Sequence, residues 1–323
     1  MTENTQIADN RLEHYPVTFF ATVMGMTGLT LALHAGETAW GISGIYSTAV
    51  YYVAMIMFVL VSLGYLMKAV KYPAAISEEW HHPIRIAFFP AISISLLLLA
   101  TASLSRFPVL AEAMWLVGAL LQGGLTIAVI SSWISARAFQ IGQLNPAWFI
   151  PAVGNVIVPI AGIPLGYPEL SWYFMSVGLV FWLVLMTLVM NRLIFHDPLP
   201  GKLQPTLVIL IAPPAVGMVA WVRLVGEIDG FARLLMNAAF LFTLIVAVQL
   251  PRIVRLPFAM SFWALSFPVA AASIASFHYA MKTESAAHLH IGTGLLIALF
   301  VIIVALVVRT LRAMVEGQIC IPE

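Results

Sequence analysis

Long stretches without any charged residue dominate this chain. Asp, Glu, Lys and Arg are absent from residues 38–67, 86–105, 113–136, 138–168, 203–222, 234–251, 256–281 and 291–308. A membrane-spanning helix needs about 20 mostly apolar residues, because the hydrocarbon core is about 30 Å thick and a helix rises about 1.5 Å per residue. Two further apolar stretches, near residues 15–34 and 170–191, bring the number to ten. We therefore predict an all-α integral membrane protein with ten transmembrane helices.

Composition leaves little room for a soluble domain. Charged residues make up 9% of the chain and hydrophobic residues 62%, whereas an average soluble domain is about 25% charged. We predict a cytoplasmic N-terminal segment (1–14), a ten-helix transmembrane domain (15–312) and a cytoplasmic C-terminal tail (313–323). The formal net charge of +1 provides no basic surface for nucleic acid. The single cysteine, Cys320, excludes an internal disulfide.

The distribution of lysine and arginine predicts the orientation. Most of the 15 basic residues fall in the termini or in the connections that follow the even-numbered apolar stretches. The four exceptions are Arg106, Arg223, Arg233 and Lys282. Because Lys and Arg are retained preferentially on the cytoplasmic side, we expect both termini to be cytoplasmic. The expected location is the plasma membrane, which is the inner membrane in a bacterium.

Proline recurs inside alternate apolar stretches, at Pro90, Pro151, Pro213 and Pro268. The intervals of 61, 62 and 55 residues match two spans with their connections, so the repeating unit is a helical hairpin. A proline inside a helix removes a backbone hydrogen bond and displaces the carbonyl four residues earlier, so we predict a kink at each position. Five hairpins in a quasi-five-fold arrangement would place the kinked odd-numbered helices around a central pore.

The interiors of the odd-numbered stretches lack carboxylates, lysines and arginines. Proton relays and intramembrane enzymes generally need such groups at membrane depth, so both functions are disfavoured. Hydroxyl and amide side chains are present, and they either solvate an anion weakly or join helices to each other. The candidates for the pore lining are Thr18, Thr22, Ser93, Asn155 and Ser266.

The ninth stretch carries a distinct pattern. At 100° per residue, Phe267, Ala271, Ile274 and His278 fall on one helical stripe. A bulky ring followed by a small residue on a pore-facing stripe would form a constriction. His278 would lie near the outer end of this helix. The histidine pairs elsewhere in the chain have no neighbouring cysteine or carboxylate set, so we predict neither a metal ion nor a cofactor.

Three segments, His82–Pro90, Trp148–Asn155 and Phe262–Pro268, resemble the tellurite-resistance/dicarboxylate transporter family, which includes bacterial TehA and the slow-type anion channels of plant guard cells. The resemblance implies five hairpins around a pore lined by the odd-numbered helices, in a homotrimer whose protomers each contain a pore. It also implies that Phe267 is the phenylalanine that plugs the pore. Phe89, which likewise precedes a proline, is the second candidate for the gate. One departure is Val23, which stands where TehA-like chains have a proline.

These features predict a passive anion channel. A lumen without full charges cannot offset the removal of tightly held water, so weakly hydrated anions such as nitrate and chloride should pass best. The first alternative is a carrier or exporter of C4-dicarboxylates such as malate, or of sulfite or tellurite. An intramembrane enzyme and a receptor or scaffold are further alternatives. The sequence leaves open the physiological anion, the opening signal and whether a partner protein regulates the channel.

Overall fold

The computed structural model describes residues 11–135 and 139–321, so residues 1–10 and 322–323 of the predicted terminal segments lie outside it. In this part of the chain, nine helical stretches are long and apolar enough to cross a membrane, and no strand occurs. A tenth apolar stretch, Pro146–Gly162, is shorter and broken. The chain is a multi-pass, all-α membrane protein. Its α-helices are α1 (Phe20–Trp40), α2 (Ile45–Lys71), α3 (Pro73–His81), α4 (Ala91–Ser103), α5 (Pro108–Ser135), α6 (Phe149–Val153), α7 (Val158–Gly162), α8 (Pro168–Phe195), α9 (Ala212–Val225), α10 (Gly230–Ile253), α11 (Ser266–Thr283) and α12 (Ala286–Val315).

Burial divides the ten apolar stretches into two alternating sets. In the four long odd-numbered stretches, 72% to 83% of the most apolar 18 residues are buried, whereas the even-numbered stretches reach only 22% to 39%. The broken stretch is also almost wholly buried. We call the first set the inner segments: Val17–Trp40, Arg85–Ser103, Pro146–Gly162, Gly201–Val225 and Met260–Thr283. The outer helices are α2, α5, α8, α10 and α12.

Helix contacts arrange the inner segments in a closed order. Each inner segment contacts the outer helix that follows it in the chain. The inner segments also contact one another in sequence: α1 with α4, α4 with α7, α7 with α9, and α9 with α11. Because α11 packs against α1, the order closes, and the outer helices lie outside it. This arrangement explains why only the inner segments are buried on most sides.

All five inner segments begin as 3-10 helix and continue as α-helix. The 3-10 stretches are Val17–Phe19, Arg85–Phe88, Pro146–Trp148, Gly201–Ile211 and Met260–Leu265. The prolines of the repeat then stand at the beginning of the α-helices that follow: Pro90, Pro151, Pro213 and Pro268. There the missing N–H of proline needs no partner in the preceding turn. The structure therefore shows a change of helix type at these prolines, where the sequence predicted a kink within a continuous helix.

The first inner segment differs from the other four. Its only proline, Pro16, precedes the segment, and α1 continues unbroken through the fully buried Val23. Glycine lets α1 approach α11 closely. A methyl group added at Gly28 would lie 2.9 Å from the Cβ of Ala270 and 3.4 Å from the Phe267 ring. The two helices therefore meet backbone to backbone beside Phe267.

A buried ion pair secures the start of the first inner segment. Glu79 of α3 accepts hydrogen bonds from the Val17 N–H (2.8 Å), the Tyr65 hydroxyl (3.1 Å) and the Lys68 ammonium (2.9 Å). Lys68 also donates to the Tyr15 carbonyl at 2.8 Å. Both charged side chains are nearly inaccessible, at 1% and 4% exposure. The network joins α2 and α3 to the chain that enters α1.

We expect Glu79→Gln to destabilise the protein by about 3 kcal/mol, because it leaves the Lys68 charge buried without its counter-charge. Thermal unfolding in detergent would measure the change. The neighbouring Glu78 is exposed, so Glu78→Gln provides a matched control that should change stability by less than about 0.5 kcal/mol. Equal unfolding temperatures for the two variants would contradict a stabilising role for the buried pair.

Candidate anion pathway

Two cavities lie between the inner segments. The narrow cavity, with a volume of about 70 Å³, is lined by the N-terminal halves of all five inner segments. The wide cavity, of about 320 Å³, is lined by their C-terminal halves and by the turn after α4. No outer helix contributes a lining residue to either cavity in the described part of the chain. The two cavities therefore follow each other along the axis that the inner segments enclose.

The narrow cavity has almost entirely apolar walls. Among the described residues that line it, only Thr18 and Ser261 carry hydroxyl groups, and none carries a charge. Aromatic rings come from several inner segments: Phe88, Phe149, Trp263 and Phe267. Such a surface provides few groups that could replace the water around an ion.

Phe267 and Val216 line both cavities. They therefore stand at the boundary between the narrow and the wide cavity. Phe267 lies in the first turn of α11, directly before Pro268, and the close approach of α1 at Gly28 confines one edge of its ring. Farther along α11, Ala271, Ile274 and His278 line the wide cavity. The four residues of the helical stripe thus all line the wide cavity.

The structure places Phe88, and not Phe89, at the narrow cavity. The Phe89 ring instead packs edge-on against Trp80 at 5.0 Å and Tyr65 at 6.5 Å between ring centroids. The prediction that Phe89 narrows the lumen is therefore corrected in favour of its neighbour. The 3-10 stretch that ends at Phe88 explains the shift, because side chains in a 3-10 helix follow a period of three residues per turn.

Several hydroxyl candidates are occupied by local hydrogen bonds. Thr22 donates to the Phe19 carbonyl at 2.7 Å, and Ser266 donates to the Trp263 carbonyl at 2.6 Å. Both side chains are buried and neither lines a cavity described above. Of the five hydroxyl and amide candidates, only Thr18 contributes to a cavity wall.

Ser93 and Asn155 take part in a buried polar network with α5. Ser93 donates to the Gln122 amide oxygen at 2.7 Å, and Asn155 donates to the Thr126 hydroxyl at 3.0 Å. Gln122 and Thr126 both donate to the Pro151 carbonyl, at 3.1 and 2.7 Å. Because the third inner segment changes between α and 3-10 helix here, its carbonyls need such partners inside the bilayer. These two candidates join helices and do not line the cavities.

The wide cavity carries positive charge, which the sequence interpretation missed. Arg106, Arg223, His34 and His278 line it, and no carboxylate does so among the described residues. Hydroxyl groups complete its polar surface: Thr30, Thr38, Thr101 and Ser105. Arg106 follows the C-terminal end of its inner segment, and Arg223 lies near the C-terminal end of another. The sequence alone indicated only that both lie on the side opposite the termini. The sequence did contain a signal for this site, because Arg106 and Arg223 are two of the four basic residues on the side opposite the termini.

Contacts with α2 hold Arg106 in place. Its guanidinium donates to the Thr48 hydroxyl at 2.6 Å and to the Ala102 carbonyl at 3.3 Å, and lies 5.5 Å from the centroid of the Tyr51 ring. Neither Arg106 nor Arg223 forms an ion pair in the described part of the chain. Each guanidinium group that faces the wide cavity therefore has no carboxylate at ion-pair distance among the described residues.

Sequence comparison places the chain among known proteins. Residues 14–311 match the SLAC1 family, described as voltage-dependent anion channels. An S-type anion channel of Arabidopsis thaliana, SLAH2, is 27% identical over 85% of this chain and 54% of its own length. This chain thus spans about half the length of that plant relative.

Two microbial relatives match over nearly their whole length. An uncharacterised transporter of Methanocaldococcus jannaschii is 27% identical over 95% of this chain and 97% of its own length. A tellurite resistance protein TehA homologue of Haemophilus influenzae is 25% identical over 94% and 92%, respectively. The resemblance inferred from the three proline-containing segments is confirmed. Because the family match covers nearly the whole chain, this protein belongs to the SLAC1 family of voltage-dependent anion channels.

Proposed function

We propose that this protein is a passive anion channel whose conduction path runs through the two cavities and is closed by Phe267. The observation that carries the proposal is the position of Phe267 and Val216 at the boundary between the cavities. The Phe267 ring at this boundary prevents an ion in either cavity from entering the other, and no additional gating segment is needed. Phe88 takes the role of the second narrowing residue that the sequence had given to Phe89.

The proposed membrane architecture has ten crossings in five hairpins with quasi-five-fold symmetry. The closed order of inner segments and their burial support it, with Pro146–Gly162 as the short fifth crossing. Large apolar side chains are exposed along the outer helices, where lipid or neighbouring protomers of a homotrimer would cover them. The predicted orientation, with cytoplasmic termini in the plasma membrane, puts the wide cavity on the outer side.

The charge of the wide cavity supports anion transport. Two arginines without carboxylate partners raise the local concentration of anions and repel cations. This finding corrects the expectation of a lumen without full charges, which describes only the narrow cavity. The names of the plant relatives, S-type anion channels, agree with the proposed activity.

Phe267→Ala should open the path. Removing the ring joins the two cavities, and we expect anion conductance in reconstituted bilayers to rise at least about tenfold. This rise corresponds to a barrier that is lower by about 1.4 kcal/mol. Phe89→Ala is the matched control, because this ring also precedes a proline but packs away from both cavities. The control should leave the current at the wild-type level.

Two results would contradict the gate assignment. One is an unchanged current from correctly folded Phe267→Ala protein, and the other is an equal increase in Phe89→Ala. A saturable flux of anions without unitary currents would favour the carrier alternative. Size-exclusion chromatography with light scattering should verify that both variants keep the wild-type oligomeric state.

We predict the permeability order nitrate, then chloride, then sulfate. The narrow cavity has two hydroxyl groups and no charge among its described lining residues, so the cost of removing water from the ion decides the order. Reversal potentials of the Phe267→Ala channel under biionic gradients would measure it. A sulfate permeability equal to that of nitrate would show that the narrow part of the path contains a specific oxyanion site.

A further inference from the structure

The two arginines of the wide cavity come from inner segments that are not neighbours. Arg106 follows α4, and Arg223 lies near the end of α9. In the closed order of inner segments, α7 separates α4 from α9 on one side, and α1 and α11 separate them on the other. Arg106 and Arg223 therefore reach the cavity from different walls. An anion in the cavity is therefore attracted from two sides.

The remaining polar groups favour an anion with several oxygen atoms. His34 on α1 and His278 on α11 line the cavity together with the two arginines. The carboxylate near His34 belongs to Glu37, which does not line the cavity and accepts hydrogen bonds from the backbone N–H groups of Tyr46 and Ser47. The cavity, of about 320 Å³, has room for a tetrahedral oxyanion together with part of its hydration water.

The narrow cavity has the opposite character. Past Phe267 and Val216, the lining carries no charge in the described residues, and aromatic rings form much of the wall. The hydration free energy of an ion rises with the square of its charge, so a divalent anion loses far more than nitrate when it leaves the wide cavity. The lining of the wide cavity is therefore better suited to a divalent anion than the lining of the narrow cavity.

We propose that the wide cavity is a binding site for divalent oxyanions, with sulfate as the representative, and that an anion bound there blocks the passage of monovalent anions. The block rests on the proposed channel function, whereas the binding does not. Arg106 and Arg223 provide the charge-assisted hydrogen bonds, and the histidines and hydroxyl groups surround the ion. Because the site lies on one side of Phe267, sulfate binds and blocks from one face of the membrane.

Binding is tested first on the purified, wild-type protein in detergent. Calorimetric titration with sodium sulfate at constant ionic strength should give saturable binding, and sodium nitrate should bind at least about tenfold more weakly. Arg223→Gln should weaken sulfate binding about tenfold, the loss expected for one charge-assisted contact. Lys282→Gln is the matched control, because Lys282 lies on the same side and donates to the Gly226 carbonyl but does not line the cavity.

Block is then tested on the Phe267→Ala channel. With nitrate as the current carrier, sulfate on the side of the wide cavity should reduce the current at lower concentration than sulfate on the other side. Half-block in the Phe267→Ala/Arg223→Gln channel should need about ten times more sulfate. If Arg223→Gln fails to fold, the pair Arg106→Gln and Arg106→Lys replaces it, and only the lysine should keep most of the affinity.

The outcomes separate the two proposals. Saturable sulfate binding in a protein that conducts no anion after Phe267→Ala would refute the channel and leave the binding site in place. Absence of saturable binding would overturn the site, as would equal losses of affinity in Arg223→Gln and Lys282→Gln. Sulfate that binds and also carries current, or that blocks equally from both sides, would overturn the assignment as a one-sided blocker.

Discussion

The bilayer core offers no water to a free backbone N–H or carbonyl group, and the rest of the structure depends on this constraint. All five inner segments change from 3-10 to α-helix, four of them near a proline of the repeat, and such changes leave backbone groups with altered partners. They occur only in segments that are enclosed by the outer helices. Where the break is most extensive, in the third inner segment, Gln122 and Thr126 of α5 supply donors to the Pro151 carbonyl.

The same constraint explains why the two cavities differ in character. Full charges are costly at membrane depth, and Arg106 and Arg223 accordingly stand at the ends of inner segments, facing the wide cavity. The narrow cavity is left with aromatic and aliphatic walls. Phe267 lies where the two environments meet. In the proposed channel this one side chain closes a path whose charged half gathers anions and whose apolar half selects those that lose water easily.

Packing also explains which polar candidates line the path. Thr22, Ser266, Ser93 and Asn155 were indistinguishable from Thr18 by residue type, yet each has a short hydrogen bond to a carbonyl or to a neighbouring side chain. Inside the membrane a hydroxyl group with such a partner is stabilised where it is. Phe88 and Phe89 illustrate a second difficulty, since the 3-10 stretch before Pro90 changes the angular register on which a sequence argument relies.

The sequence by itself determined the membrane class, the alternation of buried and exposed stretches, the proline repeat and the choice of Phe267 as the candidate gate, because these depend on local hydrophobicity, spacing and a short motif. Only the tertiary structure decided that Phe88 faces the path, that Val216 shares the boundary with Phe267, and that Arg106 and Arg223 meet at one cavity. The physical reason is that the two arginines are more than 100 residues apart in the chain. Their presence in the lining of one cavity follows from the order in which five inner segments pack, and no local pattern encodes that order.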